Sequence, residues 1–277
     1  MGAGTGVATM DAAVAATLER AASIRMRGLL KGTVAGALAL VVLVFTASQI
    51  GMSPGALVRG IPFMWDFLTR LLPPDLSYLP LLRAATIETI QIAVWGTLLA
   101  IVFSIPLAVL GARNTTPHVL VFHGTRLLLN GLRAINELVF ALIFVSAVGL
   151  GPFAGVLAIA MHATGMLAKF SAEEIEGVDR GQVEALQATG AGRLQVILFG
   201  VFPQVIPAFV SYAIYRLDVS IRSATVLGLV GAGGLGFSLF KTMKLFKYHE
   251  TATCILVIFL LVLVSDAICA KLRARVL

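Results

Sequence analysis

Charged residues are scarce in this 277-residue chain: aspartate, glutamate, lysine and arginine together make up 13% of it. Soluble domains contain about 25% charged residues and about 45 to 50% apolar residues. Hydrophobic residues here reach 58%, and the mean hydropathy is +0.96. The composition therefore excludes an ordinary soluble enzyme and indicates an integral membrane protein. At about 20 residues for each membrane-spanning helix, roughly five to seven spans fit in the chain.

Cysteine is also scarce, with two residues, Cys254 and Cys269, in a single apolar run. In a helix they would lie about 22 Å apart along the axis, which is too far for a disulfide. His118 and His123 are close in sequence, but no third metal ligand accompanies them. We therefore interpret the cysteines as packing residues and the histidines as loop or interface residues, and we predict no metal site.

Motifs that carry nucleotide or catalytic chemistry are absent as well. No G-x-x-x-x-G-K-[ST] sequence occurs, so the chain is not expected to hydrolyse ATP through a P-loop. Gly231 to Gly236 fit the dinucleotide pattern G-x-G-x-x-G, but no strand-turn-helix unit precedes them and no acidic residue follows about 20 positions later. No nucleophile elbow, zinc-binding helix or pair of catalytic carboxylates is visible. The sequence therefore predicts a non-enzyme without a cofactor of its own.

The chain does contain long apolar runs bordered by basic residues. They predict six spans, at 32–50, 86–110, 134–150, 153–170, 201–221 and 250–269. With both termini inside, thirteen lysine and arginine residues lie on the cytoplasmic side, and eight lie outside or within the membrane. This asymmetry follows the positive-inside rule, so we interpret the net charge of +7 as a signal of membrane orientation rather than of nucleic-acid binding.

The chain is expected to form three parts. Residues 1–31 lack the apolar core of a signal peptide and are predicted to be a cytoplasmic lead-in. Residues 32–83 provide the first span and an outer connection, in which prolines and aromatic residues favour a short helix at the membrane interface. Residues 84–277 form the main transmembrane domain, with a loop at 171–200. Within that domain, residues 224–240 are too rich in glycine for an ordinary span.

One polar passage interrupts the apolar sequence, from Ser171 to Arg193 (SAEEIEGVDRGQVEALQATGAGR). A single Asp or Arg at the centre of a bilayer costs about 2.5 to 3.5 kcal/mol, so the passage is predicted to lie in the cytoplasm between two spans. Val183 to Gln187 favour a short helix, the glycines at 190 and 192 favour a turn, and a second helix is expected from Arg193. A solvated loop without a partner is the alternative at this point.

The order of residues in this passage resembles the coupling loop of ABC importer permeases, whose pattern is Glu-Ala-Ala, three residues, Gly, nine residues, Ile, one residue, Leu-Pro. The matching positions are Glu184, Ala185, Gly190 and Pro203. Three positions depart from the pattern: Leu186 stands in place of Ala, Gly200 in place of Ile and Phe202 in place of Leu. The resemblance implies docking on an ATPase subunit, through the coupling residues Glu184, Ala185, Leu186, Gly190 and Pro203.

Five further runs extend the resemblance over the chain from about Thr86 to the C-terminus. They are similar to permease subunits of phosphonate ABC importers, with phosphite and hypophosphite permeases as close relatives, and they begin at Arg133 (RAINELVFA), Val148 (VGLGPFAGVLA), Gln204 (QVIP), Arg222 (RSATV) and Val230 (VGAGGLG). The likeness implies an all-α integral membrane protein of the bacterial inner membrane, with about six transmembrane helices and the architecture of a type I importer permease.

The same resemblance implies a set of partners. They are a second copy of the permease in a homodimer, two cytoplasmic ABC ATPase subunits, an external solute-binding protein and membrane lipid. ATP and Mg²⁺ would be bound by the ATPase subunits, and no nucleic acid is expected. Energy for transport would then come from a chain other than this one.

Charged residues inside predicted membrane segments are candidates for function. Asp218 and Arg222 are four positions apart and can pair on one helix face, whereas Arg216 is expected to face elsewhere, toward Ser220. A guanidinium suits the oxygens of a tetrahedral anion, but an ion pair that only neutralises itself is the alternative. The glycines that follow favour either a pathway lining or tight helix packing. The predicted substrate pathway comprises Asn136, Glu137, Arg216, Asp218, Arg222, Ser223, Thr225, Gly231, Gly233, Gly234 and Gly236.

Two other classes of protein compete with an ABC importer permease. A gradient-driven secondary transporter of a small anion would show internal repeats with discontinuous helices in both halves, and no repeat is visible. A membrane enzyme would require a catalytic constellation, which the sequence does not contain. We therefore interpret the chain as the permease of an importer for phosphonate or a related phosphorus oxyanion, phosphite or hypophosphite, driven by a separate ATPase.

Overall fold

The computed structural model describes residues 31–276, so almost all of the predicted lead-in 1–31 lies outside the described residues. The described residues form helices joined by short connections, without a strand. They fall into two compact units, Met1–Leu68 and Thr69–Leu277. The division near residue 83 that the sequence suggested stays a prediction.

The first unit contains two helices in its described part. Helix α1 covers Lys31–Gln49 and is long and apolar enough to cross a membrane. Helix α2, Pro54–Leu71, begins at a proline and continues past the end of the unit. Its Phe63 and Trp65 side chains are exposed. Exposed aromatic residues of this kind suit the membrane interface that the sequence predicted here.

The second unit is a helical bundle. Its longer helices are α3 (Leu79–Gly111), α4 (Val119–Ala134), α5 (Glu137–Val148), α6 (Pro152–Glu176), α9 (Phe202–Leu227), α10 (Gly234–Lys244) and α11 (Tyr248–Val276). Two short helices, α7 (Arg180–Ala188) and α8 (Arg193–Val196), lie between α6 and α9 and are followed by a π-helical turn, Ile197–Val201. Two 3₁₀ turns, Leu76–Tyr78 and Gly228–Val230, precede α3 and follow α9.

Helix α6 lies at the centre of this bundle and packs against α3, α4, α5 and α9. Small residues bring the helices close together at these contacts. A Cβ atom on Gly96 of α3 would lie 2.7 Å from Ile159, and one on Gly165 of α6 would lie 2.8 Å from Leu132. Membrane helices associate through such close backbone approaches, since lipid supplies little hydrophobic drive between them.

The described residues contain five helical segments that could span a membrane, or six when the bent pair α4 and α5 is counted as one span. The two helices of this pair meet at 90°. Helix α5 has 12 residues, so it is about 18 Å long and shorter than a hydrocarbon core of about 30 Å. The third span, predicted at 134–150, therefore contains a helix too short to cross a membrane by itself, and the bent pair α4 and α5 would have to supply the crossing together. Asn136 interrupts the helix by accepting a hydrogen bond from the Leu138 amide as the N-cap of α5.

The polar passage also differs from its predicted bounds. Helix α6 continues to Glu176, so the first residues of the passage belong to a helix rather than to a loop. Glu173 and Glu176 can extend α6 beyond the apolar region because Arg126 of α4 pairs with both carboxylates, at 3.8 and 2.9 Å. The cytoplasmic orientation of this end of the bundle stays a prediction of the charge count.

Candidate functional site

The segment between α6 and α9 folds as a helix, a turn and a second helix, in the order predicted. Asp179 caps α7 by accepting a hydrogen bond from the Gly181 amide at 2.9 Å. Gly190 then has a φ of +82°, which side-chain-bearing residues rarely adopt. A glycine at this position therefore lets the chain reverse between α7 and α8.

Helix α7 presents two of the predicted coupling residues to solvent. Glu184 and Ala185 are exposed, whereas Leu186 is half-buried on the opposite side. Pro203 stands at the start of α9 and suits that position, because the first turn of a helix does not need the amide hydrogen that proline lacks. The exposed face of α7 is thus available to a partner chain.

Two residues that depart from the coupling-loop pattern pack against each other. A Cβ atom on Gly200 would lie 2.8 Å from Cδ1 of Leu186, closer than real Cβ contacts. The larger residue on α7 and the smaller residue on the π-helical turn therefore compensate for one another. Sequence comparison with the pattern showed both departures but gave no sign that they are in contact.

We expect Gly200→Ile alone to destabilise the protein by about 1 to 3 kcal/mol, because the added side chain has no room beside Leu186. The double variant Leu186→Ala with Gly200→Ile should recover most of this loss, since residues in contact are energetically coupled. Thermal unfolding of the purified protein in detergent measures both effects. A double variant less stable than Gly200→Ile would show that the two positions do not compensate.

Both ends of the α7–α8 segment are tied to the connection between α3 and α4. Arg193 donates to the backbone carbonyl of Thr115 at 2.9 Å and to that of Thr116. At the other end, the backbone amide of Arg113 donates to the Glu176 carboxylate at 2.9 Å. A displacement of α7 would therefore be transmitted to α3 and α4 as well as to α6 and α9. Sequence reasoning missed these ties because the partners are far apart in the chain.

A second group of polar residues lies within the helical bundle. The predicted pair is present, with Arg222 Nη2 2.5 Å from Asp218 Oδ2. Arg222 Nη1 also contacts Oδ1 of Asp266 in α11, at 3.2 Å. The guanidinium therefore joins α9 to α11, a connection that the i,i+4 spacing could not indicate.

Arg216 does not face Ser220, and that prediction is wrong. Its Nη2 atom pairs with Glu137 Oε1 at 2.6 Å, and the arginine is 2% exposed. Ser220 instead accepts a hydrogen bond from the Thr97 hydroxyl at 3.0 Å. The pair forms because the start of α5 lies beside α9, which brings together residues 79 positions apart.

His162 of α6, which the sequence placed inside a span without a role, joins the same group. Its Nε2 atom is 3.7 Å from Glu137 Oε1. Its Nδ1 atom is 3.0 Å from the carbonyl oxygen of Ile135. Because a carbonyl oxygen only accepts, Nδ1 carries the hydrogen of this bond and Nε2 faces the carboxylate.

These residues surround a pocket of about 330 Å³ at the start of α5, which we call the α5 pocket. Its polar lining consists of Asn136, Glu137, His162, Arg222 and Ser223. The structure therefore gathers four of the predicted pathway residues around one space. Glu137 Oε2 is buried there and has no hydrogen-bond partner among the described residues.

Thr225 and the four predicted pathway glycines are not among the residues that line the α5 pocket. Gly231 and Gly233 have φ values of +92° and +82° at the break between α9 and α10. A Cβ atom on Gly234 would lie 2.6 Å from Thr89 Oγ1, and one on Gly236 would meet the Thr225 carbonyl. The structure thus shows close packing at these glycines. Their contribution to a pathway, together with that of Thr225, stays a prediction.

Comparison with known proteins identifies the family. Residues 104–277 match the family model described as binding-protein-dependent transport system inner membrane component. The chain belongs to this family. Membership confirms the predictions that the chain is a permease and a multi-pass protein of the inner membrane. It also favours an importer permease over a gradient-driven transporter.

Individual relatives agree with this assignment. A phosphite transport system permease protein of Stutzerimonas stutzeri is 45% identical over 217 residues, which cover 78% of this chain and 79% of that protein. The phosphate-import permease of Mycolicibacterium smegmatis is 38% identical over 230 residues, which cover 83% of this chain and 43% of that protein.

Solved structures show the same fold at lower identity. A chain of an inward-facing methionine ABC transporter superimposes with a TM-score of 0.63 and 19% identity, over 73% of this chain and 99% of that one. A chain of an amino acid ABC transporter gives a TM-score of 0.60 and 17% identity, over 72% and 95% of the two chains. The helical bundle of this inner membrane component is therefore that of ABC importer permeases.

Proposed function

We propose that this chain is the permease subunit of an ABC importer that carries phosphite, phosphonate or a related phosphorus oxyanion into the cytoplasm. The observation that carries the proposal is the 45% identity to a phosphite transport permease over 79% of its length. Two copies of the chain would form the pathway, and an external solute-binding protein would deliver the anion. The chain itself catalyses no reaction, and ATP and Mg²⁺ belong to two ATPase subunits.

Helix α7 is the proposed coupling helix. Its exposed residues Glu184 and Ala185 would occupy a groove of the ATPase subunit. On its other side, the Asp179 amide donates to the side chain of Gln204 in α9 at 2.9 Å, and Arg193 holds the α3–α4 connection. Closure of the ATPase subunits on nucleotide would therefore move α7 together with the spans that line the pathway, and access would alternate.

The α5 pocket is the proposed contact with the anion. Ser223 and the half-exposed Arg222 line it and offer a hydroxyl and a guanidinium. Because Arg222 already contacts two carboxylates, its attraction for an anion is weakened, which suits a site that must release what it binds. The pocket thus offers a few polar groups rather than a dense basic cage.

Uptake by a reconstituted complex tests this function. The chain, an ABC ATPase subunit and a solute-binding protein encoded beside it would be incorporated into liposomes, and labelled phosphite or methylphosphonate would be supplied outside. We expect uptake that requires ATP and the binding protein. Uptake driven by an ion gradient without ATP would instead identify a secondary transporter. ATP-dependent uptake of an unrelated solute, with neither phosphorus oxyanion moved, would refute the proposed substrate.

A further inference from the structure

The α5 pocket contains an acceptor group that the ion pairs around it do not use. Glu137 Oε1 is occupied by Arg216 at 2.6 Å. The other oxygen, Oε2, is buried and lacks a hydrogen-bond partner among the described residues, and Glu137 is one of the residues that line the pocket. An ionised carboxylate oxygen can only accept hydrogen bonds. A ligand that satisfies Oε2 must therefore bring its own hydrogen to this position.

Two arginines near the pocket are already paired with carboxylates. Arg216 pairs with Glu137, and Arg222 pairs with both Asp218 and Asp266. These contacts join two guanidinium groups to three carboxylates in the described chain. His162 adds a positive charge only when Nε2 is also protonated. The pocket therefore has no surplus of positive charge for a doubly charged anion.

Phosphite and simple phosphonates each exist as a monoanion and as a dianion, and the two forms would present different charges to this pocket. A dianion would place unpaired negative charge beside Glu137 in a region of low dielectric, where uncompensated charges are strongly unfavourable. A monoanion that keeps one P–OH group carries half that charge. Its hydroxyl can donate to Glu137 Oε2, while its other oxygens accept from Ser223 and from guanidinium N–H groups that Arg222 does not use.

We infer that Glu137 selects the protonated, singly charged form of the phosphorus oxyanion, by accepting a hydrogen bond from its P–OH group in the α5 pocket. The inference rests on the proposed function and narrows its substrate to one ionic form. It makes Glu137 a specificity-determining residue, with Arg216 and His162 as the groups that hold its carboxylate in place.

The first test needs no variant. Uptake by the complete importer would be measured from pH 5.5 to 9 with saturating loaded binding protein, whose affinity is determined separately at each pH. Above the second pKa of the anion, the fraction in the P–OH form falls about tenfold per pH unit, and uptake should fall with it.

A comparison of two anions separates the substrate from the protein. Methylphosphonate holds its second proton to higher pH than phosphite, because the methyl group donates electrons. The decline in uptake should therefore come at higher pH for methylphosphonate. A decline at one common pH would assign the effect to the protein and overturn the inference.

The second test replaces the acceptor. Glu137→Gln keeps an oxygen for Arg216 and adds an amide N–H that can donate to a deprotonated oxygen. We expect the ratio of uptake at pH 6 to uptake at pH 8 to fall at least fivefold relative to the unmodified importer. The matched control Glu173→Gln changes an exposed carboxylate outside the pocket and should keep the original ratio.

Two further variants make the outcome decisive. If Glu137→Gln does not assemble, the charge-neutral double variant Glu137→Gln with Arg216→Gln provides the same readout. His162→Gln should keep the pH dependence, since the anion and not the imidazole loses the proton. Unchanged pH dependence in the Glu137 variants, or loss of it in His162→Gln, would overturn the inference. Absence of any uptake of either anion by the unmodified importer would instead refute the proposed function.

Discussion

Importer complexes that carry Glu184→Arg are expected to continue hydrolysing ATP, whereas their anion uptake should be reduced at least tenfold. Glu184 is exposed on α7, and no ion pair holds it within the described part of the chain. Reversal of its charge therefore leaves the fold of the permease intact and changes the surface that α7 presents to the ATPase subunit. Parallel measurements of ATP hydrolysis and anion uptake in proteoliposomes would show the two activities separating.

Gly190→Val should cause similar damage for a different reason. The φ of +82° at this position is a genuine outlier for a β-branched residue, so valine would displace the turn that follows α7. Gln182→Arg is the matched control, because it adds a positive charge to the same helix about 200° around its axis from Glu184. Normal uptake by both Glu184→Arg and Gly190→Val would show that α7 is a connector without a role in coupling.

Arg216→Met is expected to destabilise the protein by about 3 to 5 kcal/mol, because it leaves the carboxylate of Glu137 buried without its partner. Glu137 is 14% exposed in this pair and Arg216 is 2% exposed, so little water can replace the lost contact. Thermal unfolding in detergent, followed by the loss of monodisperse protein, measures the change. The result would mark this pair as the main polar contact between α5 and α9.

The double variant Arg216→Met with Glu137→Gln separates the loss of a charge pair from the loss of packing. It should regain much of the lost stability, because no unpaired charge remains in the bundle. Lys247→Met is the control, since it removes a surface ion pair with Glu250 and should have little effect. If Arg216→Met proves no more harmful than Lys247→Met, the pair is not a determinant of stability.

Local patterns in the sequence were enough to predict much of this molecule. Composition and the long apolar runs predicted the membrane helices. The helix-forming residues 183–187 and the glycines at 190 and 192 predicted a helix, a turn and a second helix. The N-cap at Asn136 was missed, although an asparagine followed by an acidic residue and an apolar run is typical of a helix start. The dense apolar residues after it suggested a span at 134–150 instead.

Contacts between distant residues could not be predicted in the same way. Glu137 and Arg216 are 79 positions apart, and Arg222 and Asp266 are 44 positions apart. No spacing rule relates such residues, since their meeting depends on how the helices cross. For this reason Arg216 was assigned to the wrong neighbour, and the role of the residues on α5 and α9 in a pathway stays a prediction.

The contact between Leu186 and Gly200 has a consequence for chimeric permeases. A coupling helix transplanted from a relative with alanine at position 186 would leave a gap above Gly200, and a donor turn with isoleucine at 200 would collide with Leu186. A hydrogen bond from the Asp179 amide to the Gln204 side chain joins the two ends of the segment that contains this contact. The unit that can be exchanged between importers is therefore residues 179–204 as a whole, and shorter grafts would pair mismatched halves of one packing contact.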